Sequence, residues 1–419
     1  MYKILNLSFL FLILLNFSNY SKSEEIKKIK IQFSPETFLK LKRNQQNAYA
    51  KKITEYNPKK LRVDLIDENN QFYSSKINLD GLGMEHFNNK DVLKSTIKYR
   101  LKKNSEIYGF REFRLIDPKP AYYDVPFLYN LFLDHFNLAT RKVSLIKVYT
   151  NLSSKIYIKI LEESFGNNFI SRNNFQKGLV FKFSIYNKKG HKALEKNRNN
   201  EISDEEYINI FYQNIKASNL KAYNRKNSEL DLEIKKTKDI FQKYLNKEKK
   251  VHEVFDIDST VKFFFMNTIW GEMHSALAHN IRFYFDPINN KFFLVPSDPF
   301  YPINIKNNNN DKIPLPFTLN SQNEFGISYF YNADFEKEWF KNLMDDKEFR
   351  SSYLNLLLNL DKLELKSLLQ SLENYKIKFE RDESIEAKKN LKKNINELIK
   401  LTNRKENIKL VIESLKEQS

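Results

Sequence analysis

Four short polar segments stand at the ends of apolar runs and hold the side chains whose types could do chemistry. They are Asp80-Gly81-Leu82-Gly83-Met84-Glu85-His86, Leu161-Glu162-Glu163-Ser164-Phe165, His274-Ser275-Ala276-Leu277-Ala278-His279-Asn280 and Pro296-Ser297-Asp298. Positions of this kind are where a rigid scaffold presents acids, amides and imidazoles to a ligand. The His274 imidazole is suited to act as a base near neutral pH. His274 and His279 are five apart, so a helix would not put them on one face and a shared metal would need a bend. Each candidate also has a structural alternative. Asp298, after a strand and a proline, would serve as a turn or helix cap. Asn280 would satisfy a turn backbone, and Glu162 and Glu163 would be solvated strand-end acids. His86 would hydrogen-bond its own loop. Lys98 and Lys182 compete with a large background of solvated lysines.

Several function classes are excluded outright. The chain has no P-loop, no Gly-rich dinucleotide turn, no Gly-x-Ser-x-Gly elbow and no His-Glu-x-x-His helix. With only 8 glycines in 419 residues, a glycine loop that cradles phosphates is disfavoured, which leaves sites that hold a nucleotide with side chains and metal. The lack of any cysteine removes disulfides, thiolate metal sites, a Cys nucleophile and a lipid-modified N-terminal cysteine together. The formal charge of +18 invites a polyanion partner. Its lysines, however, are scattered among Asn, Ile and acids, as at Lys27-Lys28, Lys102-Lys103 and Lys247-Glu248-Lys249-Lys250, so solvated faces account for them and no specific nucleic-acid binding is expected.

The opening residues read as a signal peptide, with Lys3, an apolar run from Ile4 to Phe17 and small residues at Ser21-Lys22-Ser23. The run is shorter than the roughly twenty residues that span a bilayer, so cleavage near Ser23 and export to a periplasmic or extracellular space are expected, without a lipid anchor and without a later membrane span. Cysteine avoidance fits an oxidising compartment.

The elements that must position the candidates follow from periodicity. Leu61, Val63 and Leu65 alternate, pause at Asp67-Glu68-Asn69-Asn70 and resume, which predicts a hairpin. Ile97, Tyr99 and Leu101 alternate again, followed by Phe113 and Leu115. Val125, Leu128, Leu131 and Phe132 fall at helical spacing, with Pro126 in the first turn. A second hairpin is predicted from Val143 to Glu163 around Asn151-Leu152-Ser153-Ser154. Leu179, Phe181 and Phe183 make a strand with Lys182 on its opposite face. A helix is predicted from about Ser259, with that residue as cap, and a hairpin over Ile281 to Val295 around Asp286-Pro287-Ile288-Asn289-Asn290. The Asn- and Pro-rich stretch 304–325 reads as loop, and the chain reads as helical from about Asp334 onward.

These segments, in this order from Lys76 to Asp298, resemble the CotH-like kinase family, a group named for a spore-coat protein. Gly109-Phe110-Arg111-Glu112-Phe113-Arg114-Leu115 looks like that family's strand after its first basic segment. Ile160-Leu161-Glu162-Glu163-Ser164-Phe165 looks like its strand-end glutamate motif, and Gly178-Leu179-Val180-Phe181-Lys182-Phe183 resembles its basic strand. The span from Val254-Phe255-Asp256 through His274 and His279-Asn280-Ile281-Arg282-Phe283-Tyr284 to Asp298 is similar to its remaining motifs. The resemblance implies an atypical protein-kinase-like core of α+β class that binds ATP with Mg²⁺ or Mn²⁺ and phosphorylates Ser or Thr hydroxyls of envelope or secreted proteins. By the same resemblance Lys98 and Lys182 would neutralise nucleotide phosphates, Glu162 would orient a lysine, and Asn280 and Asp298 would hold the metal. Glu272 or His274 would accept the substrate proton. Two departures stand out. Asp80 occupies a position where the family often carries a basic residue, and Asp298 is followed by Pro299 and Phe300 where many members have a second aspartate.

The expected organisation is a signal peptide over 1–23, a strand-rich extension over 24–75, the kinase-like core over 76–300, a loop over 301–333 and a helical region over 334–419. Two further readings go with it. One is a catalytically inactive kinase-like scaffold that binds an envelope partner through helical positions such as Leu354, Leu357, Leu365 and Leu368. The other is a metal-dependent hydrolase that regroups Glu162, His274, Asn280 and Asp298 around a bound water.

Overall fold

The structure, a computed structural model, describes residues 26–50, 60–80, 86–88, 90–102, 104–183, 196, 199–203, 206, 215–217, 228–271, 274–278, 280–302, 338–359, 365–374 and 382–402. The expected signal peptide, Glu272 and His279 lie outside these residues.

Apolar alternation recurs in seven segments between Lys27 and Glu163, and its product is a closed barrel. The strands are β1 (Lys27–Gln32), β2 (Leu61–Asp67), β3 (Phe72–Leu79), β4 (Ile97–Leu101), β5 (Glu112–Ile116), β6 (Val143–Thr150) and β7 (Ser153–Glu163), arranged in the order β1-β2-β3-β4-β5-β7-β6. All neighbours are antiparallel except β1 and β6, which pair in parallel from Lys27↔Ile146 to Ile31↔Thr150 and close the ring. Because side chains alternate faces, Ile77, Tyr99 and Phe113 lie opposite one another inside, as do Leu79, Ile97, Leu115 and Leu161. The next row, Asn78, Lys98, Arg114 and Glu162, therefore points out. Helix α1 (Pro35–Ala50) packs on β2 and β3.

The rest of the chain forms a second layer. A four-stranded antiparallel sheet runs β11-β10-β8-β9, with β8 (Leu179–Phe183), β9 (Ile215–Ala217), β10 (Arg282–Asp286) and β11 (Lys291–Val295). Around it lie α2 (Val125–His135), α3 (Asn167–Arg172), α4 (Ser228–Leu245), α5 (Val251–Val254), α6 (Ile257–Trp270), α7 (Glu338–Asp345), α8 (Lys347–Leu358), α9 (Leu365–Asn374) and α10 (Asp382–Thr402). Helix α6 is apolar all round and buried almost throughout from Thr260 to Trp270, as a central helix must be. Phe241, Phe255, Phe283, Phe292 and Trp339 interlock around it edge to face. Asp256, and not Ser259, is its N-cap, its carboxylate accepting from the Ser259 N–H at 2.9 Å; Gly271, at φ 81°, ends it. Among the described residues no helix is long and apolar enough to cross a membrane.

The expected protein-kinase-like core is overturned by this topology. The hairpins anticipated over 60–79 and 143–163 form, but β1 pairs with both β2 and β6, and the seven strands close into a barrel separate from the second sheet. A closed ring is a different solution from an open kinase-like sheet. Local alternation is the same in both, and only the pairing of β1 with β6, more than a hundred residues apart, distinguishes them.

Candidate functional site

The outward row of the barrel meets the second sheet in a cluster of charge. Register places Lys98, Arg114 and Glu162 side by side on β4, β5 and β7. Glu162 accepts from Arg114 Nε at 2.7 Å, with a second contact to the same guanidinium, and its other oxygen lies 2.6 Å from Arg141. Arg141 stands just before β6. One turn along the ladder, Glu112 receives Lys98 at 2.8 Å and Arg100 Nε at 2.7 Å. Asp80, just past β3, lies 3.7 Å from Arg114.

From the opposite layer come Lys182 on β8, Arg282 on β10 and Asp298 after β11. Arg282 donates to the Asn280 and Ile281 carbonyl oxygens at 2.7 and 2.9 Å. The Phe165 ring lies against two guanidiniums, 5.0 Å from Arg141 and 5.7 Å from Arg282. Asn280, Ser275 and His274 are fixed from below. Tyr129 donates to Ser275 Oγ at 2.7 Å, Ser275 donates to Asn267 at 2.9 Å, and Trp339 donates to the Ala276 carbonyl oxygen at 3.0 Å.

The electrostatics set this cluster apart from surface ion pairs. Among the described residues, the cations Lys98, Arg100, Arg114, Arg141, Lys182 and Arg282, with Lys216 beside Lys182, outnumber the carboxylates Asp80, Glu112, Glu162 and Asp298. The groups feel one another. Burial and the field of neighbouring Arg282 push the Lys182 ammonium down to about 8. Burial, with Arg141 and Arg114 close by, pushes Arg282 down to about 9. Burial alone would raise the Asp80 carboxyl, but Lys98, Arg114 and Lys182 overcome it and hold that group below its ordinary value. Lys182 and Arg282, pressed down by burial and by neighbouring cations in a region that already holds carboxylates, are arranged to receive a further anion. Glu162 and Arg141, 6% and 7% exposed, form the floor, whereas Asp80 and Lys98 keep about a third of their surface in solvent and leave the cluster open on that side.

The sequence-predicted residues divide as follows. Lys98, Lys182, Glu162 and Asp298 come together in this cluster. Glu162 orients two arginines, where a lysine was expected. His274, Asn280 and Asp298 form an adjoining corner. His274 Nδ1 lies 2.8 Å from the Asp298 carbonyl oxygen. The Asn280 amide nitrogen donates to the His274 carbonyl oxygen at 2.8 Å and lies 3.1 Å from Nδ1 and 3.3 Å from Nε2. Both ring nitrogens are thereby engaged, and His274 acts as a strut between Asn280 and Asp298. Asp298 sits at φ 58°, a left-handed conformation that Asp tolerates better than most residues. Among the described residues no group of three His, Asp or Glu side chains converges on one point. Asn280 and Asp298 are compatible with Mg²⁺ or Mn²⁺ only as one part of a shell completed by water and phosphate oxygens, which is the usual way Mg²⁺ binds.

Sequence reasoning gave no role to Arg114, Arg141, Arg282 or Phe165. Parity was the available signal for Arg114, since it alternates with the apolar Phe113 and Leu115 just as Lys98 does with Ile97 and Tyr99. Arg282 carries the same signal between Ile281 and Phe283, whereas nothing local marks Arg141. No protein-family model matches the chain, and no curated protein matches it.

Proposed function

We propose that the chain binds a nucleoside triphosphate at the junction of barrel and second sheet, and that it is an exported protein kinase transferring the terminal phosphoryl group to Ser or Thr hydroxyls of envelope or secreted proteins. The observation that carries the binding half is the surplus of cations in a cluster where Lys182 is held below its ordinary pKa by burial and the charge of Arg282, and Arg282 by burial and the charges of Arg141 and Arg114. The transfer half is what the CotH-like motifs imply, and it rests on the site and not on the fold. Lys98, Arg114, Lys182 and Arg282 hold the phosphate oxygens. Glu162 keeps Arg114 and Arg141 in place, as the floor of the site. Asn280 and Asp298 would hold Mg²⁺ or Mn²⁺ beside those oxygens, where the metal supplies charge neutralisation of the phosphates.

A second reading has its own support. Glu162 is fully engaged by two guanidiniums, His274 by its two neighbours, and Asp80 lies where another cation would bind phosphate better. These features favour an envelope binding protein that holds the anionic ligand without turning it over. The two readings part in one assay, in which the full chain is incubated with terminally labelled ATP, Mg²⁺ or Mn²⁺ and a generic protein acceptor, beside Asp298→Ala. Metal-dependent labelling that the variant lacks supports the kinase. ATP binding with no labelling of acceptor or of the chain itself overturns transfer and leaves the binding protein.

A further inference from the structure

On the neighbouring strands β2 to β5, the outer face of the barrel sets cations directly opposite one another. One register row reads Arg62, Lys76, Arg100 and Glu112, by the pairs Arg62↔Lys76, Lys76↔Arg100 and Arg100↔Glu112. The row beside it enters the junction as Asn78, Lys98, Arg114 and Glu162. Arg62↔Lys76, Lys76↔Arg100 and Lys98↔Arg114 all oppose like charges, which destabilises a sheet because such side chains stand about 5 Å apart. The carboxylates of the two rows answer charges at the junction end, where Glu112 takes Lys98 and Arg100 and Glu162 takes Arg114 and Arg141. At the other end Arg62 and Lys76 are exposed, and among the described residues neither forms an ion pair. The following row adds one charge of each sign: Asp64 opposite Ser74, and Lys102, whose N–H donates to the Ser74 carbonyl oxygen at 3.2 Å.

We propose that this face docks an acidic, extended segment of the protein acceptor and so brings the acceptor hydroxyl to the junction. That the partner is an acceptor rests on the kinase reading above, whereas the docking of an acidic segment does not. A row of like charges, left uncompensated at its exposed end and continuous with an anion site, is complementary to an anionic partner longer than a nucleotide. Arg62 and Arg100 offer the forked donors that carboxylates accept. Neither row holds an aromatic ring on which a base could stack or an apolar side chain that could enter a bilayer, so carboxylates on a peptide are the matching chemistry. Strands lie about 4.8 Å apart, so the row from β5 to β2 covers about 14 Å, the length of about four residues of extended chain. A run of about four Asp or Glu residues next to the acceptor Ser or Thr fits that length.

The test is binding of fluorescein-labelled peptides to the full chain, read by fluorescence anisotropy with no nucleotide present. One set carries four Glu residues directly before or directly after a single Ser, and the comparison set carries Gln in their place. Arg62→Glu with Lys76→Glu, Lys76→Gln alone, and Lys235→Glu with Lys347→Glu as a control on exposed helix positions are measured beside wild type. A thermal melt followed by circular dichroism establishes that each is folded. Lys76→Gln removes two like-charge oppositions, so its melting temperature should not fall. The proposal expects a Glu peptide, in one of the two orders, to bind about ten-fold or more tighter than its Gln counterpart, and salt to weaken that binding. The double reversal should lose about ten-fold or more and Lys76→Gln about three-fold, while the control binds as wild type does. Equal binding of Glu and Gln peptides, or wild-type binding by both row variants, overturns the proposal. Tighter binding of an oligodeoxynucleotide of equal charge would give the face to a nucleic acid and overturn it as well. Acidic-peptide binding that the row variants lose, without phosphoryl transfer to the peptide, supports the docking and removes only the transfer reading.

Discussion

Lys159 is a cation placed where the barrel should be apolar, and replacing it should stabilise the protein. Its side chain, 3% exposed, points inward from β7 among Ile31, Ile97, Tyr99, Leu115, Val148 and Tyr157, and it pairs with Asp117 at 3.5 Å. Burial pushes its ammonium down to about 8 from an ordinary 10.5, with Asp117 only partly offsetting that. The difference corresponds to a cost of about 3 kcal/mol for holding the charge in the folded state. The folded-state pKa is below the unfolded one, so between pH 8 and 10.5 the unfolded chain binds more protons and stability rises with pH; below 8 both states are charged and the full cost remains. Lys159→Met keeps the length and removes the charge. It should stabilise the protein at pH 7 by about 1 to 3 kcal/mol, as apolar replacements of buried ion pairs often do. It should also remove the Lys159 share of the rise above pH 8. The assay is urea denaturation of wild type and variant at pH 7 and pH 10, followed by far-ultraviolet circular dichroism, because both tryptophans, Trp270 and Trp339, lie in the helical layer and do not report on the barrel. A variant less stable than wild type at pH 7, or one whose stability rises with pH as steeply as before, would refute the reasoning.

Other perturbations probe the junction. Glu162→Gln takes the carboxylate from between Arg114 and Arg141 and should cost about 3 kcal/mol, with inorganic phosphate restoring more stability to the variant than it adds to wild type; urea midpoints with and without phosphate decide this. Gly178→Ala would put a Cβ 2.6 Å from the Phe285 carbonyl oxygen, forcing β8 away from β10 and displacing Lys182, so a loss of about 1 to 3 kcal/mol is expected in the same unfolding assay, together with weaker ATP binding. Anion affinity should fall as pH rises through about 8, because Lys182 loses its proton there in the free protein; binding titrations across that range, with Lys182→Met flattening the fall, check the sign.

What could be read ahead of the structure was the local alternation and much of the site. Ile97-Lys98-Tyr99 and Phe113-Arg114-Leu115 announce strands with a cation on the face opposite the apolar one, and the hairpins at 61–79, 143–163 and 281–295 follow from period and turn residues alone. Lys98, Glu162, Lys182 and Asp298 were singled out from motifs and do assemble. Closure of the barrel was not legible, because β1 reaches β6 only through non-local pairing and nothing in Lys27–Gln32 specifies a second, parallel partner. The same limit hid Arg141, which follows a loop and shows no periodic signal, and whose importance comes from the strand it happens to face.

The central claim is the anion site, and the most direct test is calorimetric titration of ATP and of adenosine into the full chain at pH 7 with Mg²⁺ present, for wild type and for Arg282→Met. The account predicts that ATP binds while adenosine binds at least ten-fold more weakly, and that Arg282→Met, folded by circular dichroism, loses about ten-fold or more of the ATP affinity, as removal of a charge-assisted phosphate contact should. No heat of ATP binding to wild type, or equal affinity for ATP and adenosine, would contradict it.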